Sequence, residues 1–274
     1  INGWLYGERP VARLDLLEQR MLGRASVNAI DLCFAQTDGV AQTLLGAGMS
    51  EDRLHVTGSL KFDQMAPAHG APPKSGSWWE ALKSKSRAPD GGPTIVAGCV
   101  TEPEEQRFVL DAFSKVRANR PDAQLVMVPR HPEKPDRMQA LECLLGEYQL
   151  PFAFRTKWQQ TPVENFAVLV LDTIGELKHF YEVGDFVYIG KDHNVLEPLA
   201  YAKPVHVSGS WQRRYPSYPI YTQCLDGGLI ASVTNSDALA DAWSGIPEPV
   251  PADQLDGQRG TTACVLERLL EGAG

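Results

Sequence analysis

Unbroken apolar runs alternate along this chain with stretches whose apolar residues recur at helical spacing, a pattern that predicts strands and helices in turn. The first segment, "RPVARLDLLEQRMLGRA", carries Leu14, Leu17 and Met21 on one helical face behind Pro10 in a first turn. Arg9, Arg13, Arg20 and Arg24 gather near one another on that helix, either as a solvated face or as a contact for acidic headgroups. "AIDLCFAQ" reads as a buried strand. Thr37 or Asp38 then starts the helix "DGVAQTLLGAG", which ends on glycine. "RLHVTGSLKFD" reads as strand, tight turn and an exposed Lys61-Phe62-Asp63. Residues 1–65 therefore look like the tail of an α/β domain. Pro-, Gly- and Ser-rich sequence around the short helix "WWEALKSK" marks 66–92 as a linker.

The remainder, 93–274, alternates more regularly. "PTIVAGC", "AQLVMVPR", "PFAFRT", "FAVLVLD", "DFVYIG", "PVHVSG" and "GGLIASV" read as strands, and helical segments such as "EPEEQRFVLDAFSKVRAN" and "RMQALECLLGEYQL" separate most of them. The acids opening the first of these helices favour its dipole. The pattern predicts a doubly wound Rossmann-like domain of six parallel strands, closed by the helix "TACVLERLLEG".

Composition narrows the function classes. A formal net charge of −8 over 274 residues argues against a general nucleic-acid binder. Cys33, Cys99, Cys143, Cys224 and Cys264 form no CxxC pair, so buried free thiols are expected. No apolar run reaches the roughly 20 residues needed to span a bilayer, and no export signal is visible. "INGWLYGERP" opens as if in mid-strand, so the chain is expected to be the later part of a longer protein.

In an open parallel sheet, ligands sit beyond the carboxyl ends of the strands. Four such ends carry polar or small residues: Cys99-Val100-Thr101-Glu102, Pro129-Arg130-His131-Pro132, Asp172-Thr173-Ile174-Gly175-Glu176, and Gly190-Lys191-Asp192-His193-Asn194 followed by Glu197. Arg130 suits bidentate contact with phosphate or carboxylate. Gly175 permits close backbone approach to a ligand. The two oxygens of Glu197 suit the vicinal hydroxyls of a ribose. Together these describe a nucleotide site, and the absence of GxxxxGK[ST] and GxGxxG disfavours P-loop and dinucleotide types. His131 and His193 read as simple hydrogen bonders, metal ligands or general bases, and no H-x-x-x-H supports a metal.

In this order and spacing, "VTGSLKFD", "VPRHPEK", "LDTIGELKHFYEVGDFVYIG" and "HNVLEPLAYAKPV" resemble the bacterial 3-deoxy-D-manno-octulosonic acid (Kdo) transferases, mostly their C-terminal donor-binding half. The resemblance implies a GT-B glycosyltransferase: two Rossmann-like domains facing a cleft, moving Kdo from CMP-Kdo onto lipid A precursor in lipopolysaccharide biosynthesis. It implies an inverting reaction with no metal or other cofactor, at the cytoplasmic face of the bacterial inner membrane. Carried over by motif, Pro129, Arg130 and His131 contact CMP, and Ile174, Gly175 and Glu176 cradle it. Asn194, Val195, Leu196 and Glu197 hold phosphate and ribose, and Lys61 stabilises charge in the transition state. The general base belongs to the acceptor half and falls on no residue of this chain, which alone is expected to bind donor and transfer poorly. Two positions depart from the pattern. The glycine-rich stretch before "HN" shortens to "GKDHN", where Lys191 offers a side-chain cation, and Thr101 stands where a histidine is usual. Another nucleotide sugar, or a non-catalytic binding module, is the alternative reading.

Overall fold

The computed structural model describes residues 25–64, 92–160, 166–256 and 259–271. The expected Arg-rich helix before residue 25 and all of the expected 66–92 linker except Gly92 lie outside the described residues.

Seven parallel strands build the large sheet, in the order β5-β6-β4-β3-β7-β8-β9. They are β3 (Thr94–Val100), β4 (Gln124–Pro129), β5 (Phe152–Phe154), β6 (Val168–Val170), β7 (Phe186–Ile189), β8 (Val205–Ser208) and β9 (Ile230–Val233). The expectation of six strands is corrected. The short β5 pairs with β6 along its whole length, Phe152 with Val168 through Phe154 with Val170, and so extends the edge. β3 and β4 are buried almost throughout, as strands covered on both faces must be.

Two apolar layers sandwich the sheet. One face buries Val109, Leu110, Phe113 and Val116 of the helix Pro103–Asn119 with Leu141 and Leu145 of Pro135–Glu147 and Trp243 of Ser236–Ser244. The other buries Phe180, Leu196, Leu199, Ile220 and Cys224 from the helices Leu177–Val183, Leu196–Ala200 and Tyr218–Asp226. β3 is flanked by β4 on one side and β7 on the other. The chain thus winds outward in both directions from β3, and the crevice at the carboxyl ends of β3 and β7 is the topological switch point.

The smaller unit holds β1 (Cys33–Ala35) parallel to β2 (Leu54–Val56), with the helix Asp38–Gly46 between them and Thr37 as its N-cap. The Thr37 hydroxyl accepts from Val40 N, one of the orphan donors of the first turn. The segment after β2 departs from expectation. Lys61-Phe62-Asp63 is not uniformly exposed, because Leu60–Gln64 closes a helical turn that rolls Phe62, 2% exposed, into the apolar layer of the large sheet. The Asp63 carboxylate accepts from Gly260 N (2.8 Å) and Thr262 N (2.5 Å) at the start of the helix Thr261–Glu271. Thr261 Oγ1 donates to Thr57 O at 2.8 Å. Gly58 takes φ +89 beneath that hydroxyl, where a Cβ would lie 2.8 Å from Thr261 Oγ1. Phe62 and Asp63 anchor the turn while Lys61 between them stays exposed.

All five cysteines are free. Cys33 and Cys224 are buried, Cys99 is half-buried, and Cys143 and Cys264 are exposed, against the expectation of uniformly buried thiols. No described helix is long and apolar enough to cross a membrane.

Candidate nucleotide-sugar site

Unusual backbone conformations gather where the strands of the switch point end. Cys99 (φ 59) lies at the irregular end of β3, His131 (φ 61) and Asp192 (φ 68) follow β4 and β7, and Gly175 (φ 90) follows β6. Left-handed conformations at non-glycine residues persist only where the surroundings hold them, and they concentrate at functional sites. Here the hold is visible. The β3–β4 register shifts between Gly98 and Val100. The Cys99 carbonyl then lies so near Gly190 that a Cβ on Gly190 would sit 2.2 Å from its oxygen. Only glycine fits there.

A directed chain of hydrogen bonds joins three of these ends. Arg130 Nη1 lies 3.1 Å from His193 Nδ1, and His193 Nε2 lies 3.5 Å from Thr101 Oγ1. The Thr101 hydroxyl donates to Cys99 O at 3.1 Å. Guanidinium has only donors, so Nδ1 accepts and the proton resides on Nε2. Burial first, then the charge of Arg130, pushes the His193 pKa down to about 4. His193 is a neutral imidazole that positions Arg130.

Glu105 braces the same crevice from the first turn of the helix after β3. Its Oε1 accepts from Lys191 N (2.8 Å) and the Tyr188 hydroxyl (3.2 Å), and its Oε2 from Thr101 N (3.3 Å). The loop Lys191–Asn194 is held from the far side as well. Asp192 Oδ1 accepts from Gln212 N (2.6 Å) and its carbonyl from Ser217 Oγ (2.9 Å), while Trp211 stacks on Tyr221 with ring centroids 4.1 Å apart.

Glu197 opens the short helix Leu196–Ala200 and takes a contact from Asn194 Nδ2 at 3.4 Å. Burial raises its pKa, with Asn194 and the charge of Lys61 acting the other way. Lys61 comes from the smaller unit, so the two units meet at this carboxylate. A recess of about 60 Å³ lies at the junction, lined by Gln36, Ser59, Lys61, Asn194, Val195, Leu196, Pro216, Ser217 and Ile220. A larger cleft of about 550 Å³ opens along the same seam, between Thr37–Thr43 and Tyr218–Asp226.

The motif residues thus fall into distinct settings. Arg130, Asn194, Glu197 and Lys61 share the crevice and its rim. Pro129 ends β4, buried. Val195 and Leu196 turn their side chains into the core at 1% exposure, so only their backbone faces the loop, and Leu196 N is already bonded to Asn194 Oδ1 at 3.1 Å. His131 turns aside to Glu133 Oε1 at 3.0 Å. Ile174 is 79% exposed beside Gly175, which has nothing within 4 Å of its Cβ position. Glu176 accepts from Thr173 Oγ1 and from Arg155 Nη2 (3.0 Å), the latter a pair largely shielded from water. Glu105, Thr101 and Ser59 carry no assignment from the sequence. For Glu105 a signal exists, since it sits in the first turn after the switch-point strand, but acids there also serve a helix dipole. Among the described residues no cluster of His, Cys, Asp and Glu has the makings of a metal site.

No family model matches the chain. Among curated proteins it is 26% identical to the 3-deoxy-D-manno-octulosonic acid transferase of Haemophilus influenzae over 220 residues, 78% of this chain and 48% of that protein. It is 30% identical to the transferase of the same name from Bordetella pertussis over 192 residues, 67% of this chain and 42% of that protein. In sequence the chain resembles the Kdo transferases over about two thirds to three quarters of its length. It spans about half the length of the curated relatives it matches. Among solved structures it is similar to the C-terminal CMP-Kdo binding domain of WaaA from Acinetobacter baumannii, with a TM-score of 0.50 and 20% identity over 69% of this chain and 92% of that one. A glycosyltransferase from Rickettsia africae gives a TM-score of 0.54 at 16% identity, covering 87% of this chain and 57% of that one. Both likenesses are of fold, and the fold is the GT-B glycosyltransferase type.

Proposed function

We propose that this chain is the donor-binding part of an enzyme that transfers Kdo from CMP-Kdo to lipid A precursor in lipopolysaccharide biosynthesis. The observation that carries the reading is the convergence of Arg130, Glu197 and Lys61 on the switch-point crevice of a chain related to Kdo transferases. Arg130, held by His193, meets phosphate with charge-assisted hydrogen bonds. The Glu197 carboxylate accepts the two ribose hydroxyls. The exposed Ile174 and the open backbone at Gly175 offer a face and free N–H groups to the cytosine.

In the proposed reaction the acceptor hydroxyl attacks the anomeric carbon of Kdo, and the bond from that carbon to the CMP phosphate oxygen breaks. The configuration inverts. A carboxylate base assigned to no residue of this chain takes the hydroxyl proton, and the Lys61 ammonium stabilises negative charge in the transition state. The lipid acceptor places the reaction at the cytoplasmic face of the inner membrane. The domain division at 1–65, 66–92 and 93–274 belongs to the same proposal, with Lys61 reaching across from the first unit.

Isothermal titration with CMP, CMP-Kdo and a UDP-sugar tests this reading. CMP and CMP-Kdo are expected to bind, and preference for the UDP-sugar would overturn the donor assignment. A second reading, another nucleotide sugar on the same site, draws on one observation: Lys191 N is spent on Glu105 rather than free for a phosphate. Donor competition separates the two.

A further inference from the structure

One buried polar atom beside the crevice has no role in the fold. Ser59 is 2% exposed, and its Oγ has no hydrogen-bond partner among the described residues. The rest of its turn is satisfied: Phe62 N donates to Ser59 O at 3.0 Å, and Thr57 O accepts from Thr261 Oγ1. A buried hydroxyl left unpaired is destabilising. Ser59 is one of the residues around the recess shared with Gln36, Lys61 and Asn194. At about 60 Å³ that space exceeds what one water needs.

The recess is rich in donors. It combines the Ser59 hydroxyl, the Lys61 ammonium and the Gln36 amide, and its lining includes no carboxylate. Glu197 stands nearby but outside it, facing Asn194 Nδ2. This chemistry calls for a small anionic acceptor group. The phosphate is not that group, because Arg130 and the carboxyl ends of β3 and β4 lie on the donor-sheet side, whereas Gln36, Ser59 and Lys61 all come from the smaller unit across the seam. What reaches this far from a nucleotide seated at the switch point is the sugar.

We propose that the Ser59–Lys61 recess is a carboxylate subsite, which reads the acid group of the donor sugar and so selects an acidic sugar nucleotide over a neutral one. The proposal rests on the nucleotide-sugar reading of the crevice and adds which part of the donor the smaller unit recognises.

The test compares CMP with CMP-Kdo and with CMP-N-acetylneuraminate, a second acidic sugar nucleotide, by calorimetry on the full chain. The wild type is expected to bind the acidic sugar nucleotides at least tenfold more tightly than CMP. S59A is expected to weaken them roughly tenfold to a hundredfold more than it weakens CMP, the value of one hydrogen bond to a charged group. K61M is expected to abolish the difference, and S59T to restore much of it. S59A removes an unpartnered buried hydroxyl, so its thermal midpoint is expected at or above that of the wild type, which separates a lost contact from a damaged fold. If S59A and K61M weaken CMP and CMP-Kdo equally, or neither, the subsite is refuted while the nucleotide reading stands. If CMP does not bind at all, both fall.

Discussion

Arg130 Nη1 lies 3.1 Å from His193 Nδ1, and this contact fixes the chemical state of both groups. Arginine offers only donors, so the histidine accepts, carries its proton on Nε2 toward Thr101, and stays neutral beside a permanent cation. The arrangement joins the ends of β4, β7 and β3. Arg130 of "PRH" and His193 of "HN" stand 63 residues apart in the chain, and together they aim one guanidinium into the crevice.

The first prediction concerns this pair. His193 is expected to titrate near pH 4 by NMR. In R130A the midpoint rises, because one of the two main causes of the depression is gone, while burial still holds it below the ordinary value. The unfolded chain takes up this proton as pH falls below about 6.5, and the folded one does not until about 4. Stability contributed here is therefore full above the unfolded pKa and is lost on acidification through that window. An ordinary histidine titration in the wild type would contradict the hydrogen-bond chain.

Gly190 supplies the second. G190A places a methyl group 2.2 Å from Cys99 O, a backbone atom held at positive φ, so the strand ends must part. Overpacking of this kind costs about 1–3 kcal/mol, and the backbone setting points to the upper end. Gly146, inside the helix Pro135–Glu147 with nothing within 4 Å, is the control. G146A is expected to stabilise the protein by about 0.4–1 kcal/mol. Urea denaturation of the two variants should give shifts of opposite sign.

The third concerns Glu105, whose carboxylate receives Thr101 N, Lys191 N and the Tyr188 hydroxyl. E105A frees two loops of the crevice and leaves polar groups unpaired, at about 1–3 kcal/mol of stability. If the crevice holds the nucleotide, CMP affinity falls with it. E105Q keeps acceptance at one oxygen but sets an NH2 against a donor, so it is expected to recover part of the loss, not all. Calorimetry and thermal melting on the same samples check both effects. Unchanged CMP affinity in E105A would show that the braced loops do not touch the ligand.

The alternation of apolar runs made the parallel sheet legible, because a strand covered on both faces must be apolar throughout, as "TIVAGCV" is. The count of strands was less legible. β5 is three residues long, and only its pairing with β6 distinguishes it from a loop. Arg130, Asn194 and Glu197 stood out because polar residues at strand ends are visible in one dimension. Glu105 and Ser59 did not, because the first looks like a helix-dipole acid and the second like any turn serine. Their importance comes from partners 86 residues away in one case and from the absence of any among the described residues in the other. Phe62 misled for a related reason: a single aromatic between Lys61 and Asp63 has no period, and its burial depends on a sheet that begins beyond the linker.

The fourth prediction concerns Glu197. Burial raises its pKa, and Lys61 counters that rise. As a hydroxyl acceptor it works ionised, so nucleotide affinity is expected to be full above the raised pKa and to fall as pH drops through it, at a higher pH than an ordinary glutamate would give. K61M removes the countering charge and moves the loss to higher pH still. For stability the sign reverses. The folded state binds this proton more readily than the unfolded chain does, so stability from this group is present below the unfolded pKa and is lost as pH rises through the folded one. Binding and folding thus draw opposite demands from one carboxylate, as expected of a group kept in an unfavourable setting for the sake of a ligand. CMP titrations across the acidic to neutral range on wild type, K61M and E197Q test it. E197Q should bind weakly and without the acid dependence, and an unchanged pH profile in E197Q would assign that dependence to another group.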